Sequence, residues 1–363
     1  MKGLLRYLSP MAPDQSGATA VLYDMDCITV ICDAGGCTGN ICGFDEPRWQ
    51  GKPGTVFSAG LRDMDAILGR DDRLVEKLAD AAARTDASFT AIVGTPVPAV
   101  IGTDYKALSR MAEKKCGMPA IAVECTGTRL YEEGESDTYL TLFETFAMDK
   151  APGETLNKEE KTDQMPKIAG ILGMTPLGIS LKDGVPHLMR NEKYQGYSEI
   201  RAYGMGAGLE AVKNASSVTE NILVSPSGLK AARYLKKRFG TPYRWDYPFI
   251  GPSLREKLEA LAGRRVLIVH QQAAASSARE IIENTQIESD VTCATWFLQT
   301  EELMKEGDLH LDTEQQFSGL CRDGGYEAVV GDPEFLRAAR MLGFQGELVE
   351  FPHFAVSGVL ADE

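Results

Sequence analysis

The sequence predicts an α/β fold of three Rossmann-like modules with parallel sheets. Short β-branched runs alternate with amphipathic helical stretches along the chain, the pattern of strand–crossover–strand units. Several of the helical stretches are closed by the glycine expected just past a helix end. Two breaks divide the chain, and 363 residues with 44% hydrophobic and 25% charged content suffice for two or three cores rather than one.

The first module, 1–150, opens with the strand candidates "ATAVLYD" (18–24) and "CITVICD" (27–33). The helix "DDRLVEKLADAAAR" (71–84), the strand "FTAIVG" (89–94), the helix "YKALSRMAEKKCG" (105–117) and the strand "AIAVEC" (120–125) follow. The segment "APGETLNKEEKTDQMP" (151–166) is charged, flanked by Pro and Gly and without periodicity, which reads as a linker or exposed loop. The second module, 167–262, carries the strands "KIAGILG" (167–173) and "NILVS" (221–225) and the helices "GLKAARYLKKRFG" (228–240) and "SLREKLEALAG" (253–263). A turn at Gly263 starts the third, 263–363, with the strands "RRVLIVH" (264–270) and "YEAVVG" (326–331). There is no repeat of fixed period and no low-complexity tract.

A net charge of −14 argues against nucleic acid or an anionic membrane as partner, since either would be repelled. No apolar run reaches the roughly 18 residues of a membrane span. The opening "MKGLLRYLSPMAP" is too short and too weakly apolar for a secretory signal, so the expected location is the cytoplasm. Thiols stay reduced there, and a local set of cysteines points to metal, redox chemistry or plain burial before disulfides.

Ligands of α/β folds bind beyond the carboxyl ends of strands. The side chains expected there are Thr95, Pro96 and Asp104 in "TPVPAVIGTD", Ser225 and Ser227 in "SPSG", His270 and Gln271 after "RRVLIV", and His353 in "EFPHFAVSG". Four of the eight cysteines, Cys27, Cys32, Cys37 and Cys42, recur at every fifth residue. That spacing keeps to neither a helix face nor a strand face, so the four cannot line one surface of one element. No C-x-x-C pair is present, which removes the zinc-ribbon and bacterial ferredoxin patterns. Cys27 heads its strand and reads as a small buried hydrophobe; Cys42 lies further along the following helix and points elsewhere. Cys32 at the strand end and Cys37 at a helix start, where amide dipoles lower a thiol's pKa, are the metal candidates. One chain supplies too few thiolates for a four-iron cluster, whereas a two-fold dimer with Cys32 and Cys37 from each subunit supplies four.

Other motifs are weak or missing. There is no P-loop, so the chain should not itself bind ATP in that way, and no G-x-S-x-G elbow. "GAGLEA" (206–211) meets only the loosest dinucleotide fingerprint, with no acidic residue closing the next strand. His187 and His310 stand in polar stretches and read as solvated.

In order along the chain, "VICDAGGCTGN", "AGLRDMDAILGRDDRLVEKLADAA", "VGTPVPAVIGTDYKAL", "NILVSPSGLKAARYLKKRFGTPY" and "EFPHFAVSG" resemble the segments of component 1 of the nitrogenase-like oxidoreductases. That family includes nitrogenase catalytic subunits, cofactor scaffolds and tetrapyrrole reductases. The resemblance puts Cys37 at a cluster-ligand cysteine and Cys32 where a histidine usually stands. It has departures: no cysteine stands in "MAPDQSGA", Thr95 and Pro96 stand where another ligand falls, and the cysteine anchoring nitrogenase's catalytic cofactor falls at Val224 or Ser225. His353 matches the position of a histidine that helps hold that cofactor. The resemblance implies a short, divergent oxidoreductase component, a homodimer holding an iron–sulfur cluster of the [4Fe–4S] type. It would take low-potential electrons from an ATP-dependent iron–sulfur reductase and pass them to a substrate between the modules, a tetrapyrrole being one candidate. A non-enzymatic scaffold or carrier for a metallocluster or tetrapyrrole, and a cluster-free binder of a small ligand, are the alternatives.

Overall fold

The computed structural model describes residues 5–149 and 166–361, so nearly all of the expected linker 151–166 lies outside the described residues. The chain forms three sheets in which every pairing is parallel. The first contains β1 (Cys27–Ile31), β2 (Val56–Ser58), β3 (Phe89–Val93) and β4 (Ala120–Val123) in the order β2-β1-β3-β4. The second contains β5 (Ile168–Leu172), β6 (Glu199–Ala202), β7 (Glu220–Leu223) and β8 (Tyr243–Trp245) in the order β6-β5-β7-β8. The third contains β9 (Arg265–Val269), β10 (Asp290–Thr295), β11 (Leu309–His310), β12 (Ala328–Gly331) and β13 (Glu347–Glu350) in the order β11-β10-β9-β12-β13. Each sheet reverses its strand order once, between β1 and β3, β5 and β7, and β9 and β12. A crevice opens at the carboxyl ends of such a pair.

The central strands are the apolar runs of the sequence, buried along almost their whole length. The segment 18–24, expected as a strand, instead belongs to the helix α1 (Asp14–Leu22). Every residue of α1 is buried, so it has no polar face to impose a 3.6-residue period, and a short apolar run does not distinguish helix from strand. Its partner is α7 (Tyr131–Phe146), which follows α2 (Gly36–Asn40), α3 (Asp63–Leu68), α4 (Asp71–Ala82), α5 (Pro96–Ile101) and α6 (Tyr105–Cys116). Helices α1 and α7 cross at two glycines. A Cβ on Gly17 would lie 2.0 Å from the Tyr131 carbonyl oxygen, and one on Gly134 would lie 1.8 Å from that of Asp14. No side chain fits either position, which lets the two backbones touch.

Shared cores join the modules. One apolar cluster runs from Ala18 and Phe89 through Phe143 to Leu223 and Leu235, another from Ile171 to Val266 and Phe351, and a third from Met11 and Tyr131 to Leu267 and Phe354. The N-terminal segment is pinned to the third module by Glu314, whose carboxylate accepts the backbone N–H groups of Arg6, Tyr7 and Leu8 at 2.7–2.9 Å. Among the described residues no helix is long and apolar enough to cross a membrane.

Candidate functional site

The cysteine turn follows β1. Asp33 accepts from the Thr38 backbone N–H at 2.7 Å, the Thr38 hydroxyl at 3.0 Å and the Ser58 hydroxyl at 2.6 Å, which ties the turn to the end of β2. Gly35 takes φ +116°, a conformation open to glycine, and α2 then passes into a π-helical turn, Ile41–Asp45. Cys37 is half-buried, and burial together with the Asp33 carboxylate raises its thiol pKa. The direction is opposite to the lowered value expected at a helix start, and α2 is only five residues long. Cys32 is 2% exposed, in the apolar layer with Ile28, Val30, Leu74 and Leu108, and its thiol is pushed up to about 12 by burial and by Asp71 and Asp33. Cys27 is buried as expected, its Sγ donating to the Leu22 carbonyl at 3.4 Å.

These positions do not fit a cluster held by Cys32 and Cys37. Cys32 is enclosed within its own module and has no open side toward a second subunit. Among the described residues no group of three or more His, Cys, Asp or Glu is placed to hold a metal ion.

Five of the expected pocket residues do converge, at the crevices of the second and third sheets. The Ser225 hydroxyl lies 3.0 Å from that of Ser227 and donates to Glu132 Oε1 at 2.6 Å. Gln271 Nε2 donates to the Val224 carbonyl at 2.9 Å. His270 and His353 stack with ring centroids 4.4 Å apart at 10°. His270 Nδ1 accepts the Gln271 backbone N–H at 2.8 Å, so Nε2 carries the proton and donates to the Pro352 carbonyl at 3.2 Å. Burial lowers the His270 pKa to about 4. His353 Nε2 pairs with the Tyr131 hydroxyl at 2.8 Å, while its Nδ1 has no hydrogen-bond partner among the described residues. Asp332 accepts the His353 backbone N–H at 2.8 Å and is pushed up to about 6 by burial.

What fills the junction is the first turn of α7, which sequence reasoning missed. Glu132 and Glu135 lie three residues apart on that helix, fully buried, and their carboxyl groups are pushed up to about 7 and about 8, chiefly by burial. Glu132 Oε2 accepts the Leu298 backbone N–H at 2.8 Å, and Glu135 accepts from the Thr175 hydroxyl. Both carboxyls of α7 thus meet the strand ends of the second sheet, and Tyr131 of the same helix meets His353 at the third. The remaining candidates lie elsewhere. Thr95 is buried and donates to the Cys32 carbonyl at 2.7 Å, closing the crevice between β1 and β3. Pro96 is the exposed first residue of α5, and Asp104 caps α6 by accepting the Ala107 N–H at 2.9 Å.

A cleft of about 850 Å³ lies beside the cysteine turn. Its walls are residues 10–13, the 42–47 turn, Lys182 and the C-terminal segment from Phe354 to Gly358. None of the expected pocket residues lines it. Cys42, on the π-helical turn, does, whereas Cys32 and Cys37 do not. Phe44 on the same turn is 75% exposed at the rim. Asp45 accepts from Ser16 Oγ at 2.7 Å and Asn40 Nδ2 at 2.8 Å. Behind the turn, Arg48 makes a bidentate pair with Glu46, both bonds at 2.7 Å, and donates to Asp24 at 3.1 Å and to the Gly204 and Ala20 carbonyls at 2.8 and 2.7 Å. This guanidinium braces the wall of the cleft against the second module.

The model of the nitrogenase component 1 type oxidoreductase family matches residues 15–292, and the chain belongs to that family. Among solved structures, a chain of "Nitrogenase Cp1 at pH 6.5" superposes with a TM-score of 0.67 at 11% identity, over 97% of this chain and 88% of that one. A chain of "Nitrogenase Cp1 at pH 5" gives 0.68 at 12% identity, over 99% and 86%. At such identity the likeness is one of fold. No curated protein matches.

Proposed function

We propose that this chain is the substrate-holding subunit of a nitrogenase-like oxidoreductase, binding its substrate in the cleft beside the cysteine turn. A separate ATP-dependent iron–sulfur reductase supplies the electrons, in keeping with the missing P-loop. The observation that carries the reading is the cleft itself. Its volume of about 850 Å³ falls within the range of small-molecule sites, and it is walled by all three modules of a redox-family fold. Cys37 is half-buried and is the thiol that the family resemblance puts at a cluster-ligand position. Two subunits of this chain would contribute only a pair of Cys37 thiols, so a shared [4Fe–4S] cluster takes its other ligands from elsewhere, a second kind of chain being the direct source. A carrier that holds its ligand without turnover is the second reading, favoured by the lack of a metal-binding group among the described residues.

The test is a titration of the anaerobically purified chain with a soluble tetrapyrrole, followed by quenching of Trp49 on the cleft-side turn and by the ligand's own absorption. Saturable one-to-one binding that weakens about tenfold in Phe44→Ala, a loss of roughly 1.4 kcal/mol, supports the cleft as the site. Binding of equal strength in Phe44→Ala and Lys182→Glu overturns it. Turnover of the bound ligand on addition of the reductase separates the enzyme from the carrier.

A further inference from the structure

A second cavity, of about 370 Å³, lies between the first and third modules and has Glu132, Leu298 and Arg129 in its wall. From it a line of hydroxyl and carboxyl groups runs inward. Glu132 Oε1 meets Ser225 Oγ at 2.6 Å, and Ser225 Oγ meets Ser227 Oγ at 3.0 Å. The Ser227 hydroxyl faces the Glu135 carboxyl and favours its charged form. This last link is an approach rather than a closed bond, since Glu135 Oε2 has no hydrogen-bond partner among the described residues. All four side chains are at most 1% exposed.

Among the described residues no guanidinium or ammonium bonds either carboxyl group, whose partners are serine and threonine hydroxyls and the Leu298 N–H. On α7 itself Tyr131, Glu133 and Tyr139 flank them; Arg48 acts on Glu135 only as a distant charge, and His353 reaches Tyr131 rather than the carboxyls. A buried carboxylate without a paired cation is costly. Such a site holds a proton readily and still has an acceptor oxygen free.

We propose that Glu132, Ser225, Ser227 and Glu135 form a proton-loading relay that exchanges a proton between the cavity and the closed junction without the modules separating. In the loading step the Glu132 acid gives its proton to Ser225 Oγ, the Ser225 proton passes to Ser227 Oγ, and the Ser227 proton passes to the Glu135 carboxylate. Glu132 then regains a proton from water in the cavity. Each hydroxyl ends with one proton, one proton has entered, and the junction is one charge more positive. A site of this kind compensates negative charge arriving nearby, as an electron does, but the relay itself is independent of any substrate.

The experiment is infrared difference spectroscopy of the intact chain transferred from H2O to D2O near neutral pH. Protonated carboxyl C=O bands are expected, one of them absent in Glu135→Gln, and they shift on deuteration well before the slowest core amides exchange. Ser225→Ala, with unchanged far-UV circular dichroism, slows the shift of the Glu135 band by about tenfold or more, until it tracks the slow amides. Ser227→Ala provides the same cut should Ser225→Ala fail to fold. The relay is overturned if the band exchanges as fast in the serine variants as in the parent, if it exchanges in the parent only with the slowest amides, or if Glu135→Gln removes no band.

Discussion

Replacing Glu135 with glutamine should abolish the pH dependence that this side chain imposes on stability. Burial raises its folded pKa from 4.5 to about 8. A carboxyl group raised on folding leaves stability whole below its ordinary pKa and removes it as pH climbs through the folded value. The gap is about 3.5 pH units, which at 1.36 kcal/mol per unit is an upper bound of ~5 kcal/mol, present at low pH and lost above about pH 8. Glutamine has nearly the same shape, keeps an oxygen for the Thr175 hydroxyl and never ionises. The buried histidines act oppositely: His270, lowered from 6.5 to about 4, loses its contribution as pH falls through that window. They are common to both proteins, so the difference between variant and parent isolates Glu135. Urea unfolding from about pH 6 to about pH 9 should show Glu135→Gln gaining on the parent by roughly 2–3 kcal/mol across the interval. Parallel stability curves over that range would show that the carboxyl is not held neutral by the fold, and the reasoning would fail.

Three further outcomes follow from the geometry. After anaerobic reconstitution in the presence of a cluster-donating partner, Cys32→Ser should keep the parent's iron content and Cys37→Ser should lose it; a loss confined to Cys32→Ser would contradict the closed apolar layer around that thiol. Gly134→Ala puts a methyl group 1.8 Å from the Asp14 carbonyl oxygen, and the forced separation of α1 from α7 should cost about 3 kcal/mol or more, read as a lowered urea midpoint. Arg48→Met leaves Glu46 and Asp24 without their shared guanidinium, which should cost roughly 3–5 kcal/mol and weaken ligand binding in the cleft. Unchanged affinity in that variant would mean the brace does not shape the site.

The strands beside each switch point were readable because a parallel strand covered on both faces is a run of apolar residues, whereas β10, interior to the third sheet but with a partly exposed first half in "DVTCAT", was not. The short strands Val56–Ser58, Glu199–Ala202 and Tyr243–Trp245 were not, since they lie at sheet edges with half-exposed, polar sequences. Ser225, His270 and His353 were legible as strand-end residues, and the fold does bring them together. Glu132 and Glu135 were not, because "YEEGESD" has the composition of a solvated helix face. The clue was Gly134 between them, a residue that weakens an exposed helix and is tolerated where another backbone must come close. Cys32 could have been set apart from Cys37 by parity alone. It keeps step with Ile28 and Val30 on one face of β1, and that face is the closed layer under α4 and α6.

The glycine crossing bears on where a ligand site is proposed. With α1 and α7 in backbone contact, the first turn of α7 reaches far enough to place Glu132 against Ser225 and Tyr131 against His353. The crevices of the second and third sheets, where an α/β fold ordinarily receives a ligand, are thereby filled by the chain itself. Thr95 closes the crevice of the first sheet by bonding the Cys32 carbonyl. The outer face of the cysteine turn stays open, where the π-helical segment presents Cys42 and Phe44 to the 850 Å³ cleft. Substitutions in that turn should therefore govern what the protein binds, while substitutions among the converged serines and histidines should govern how firmly the modules hold together.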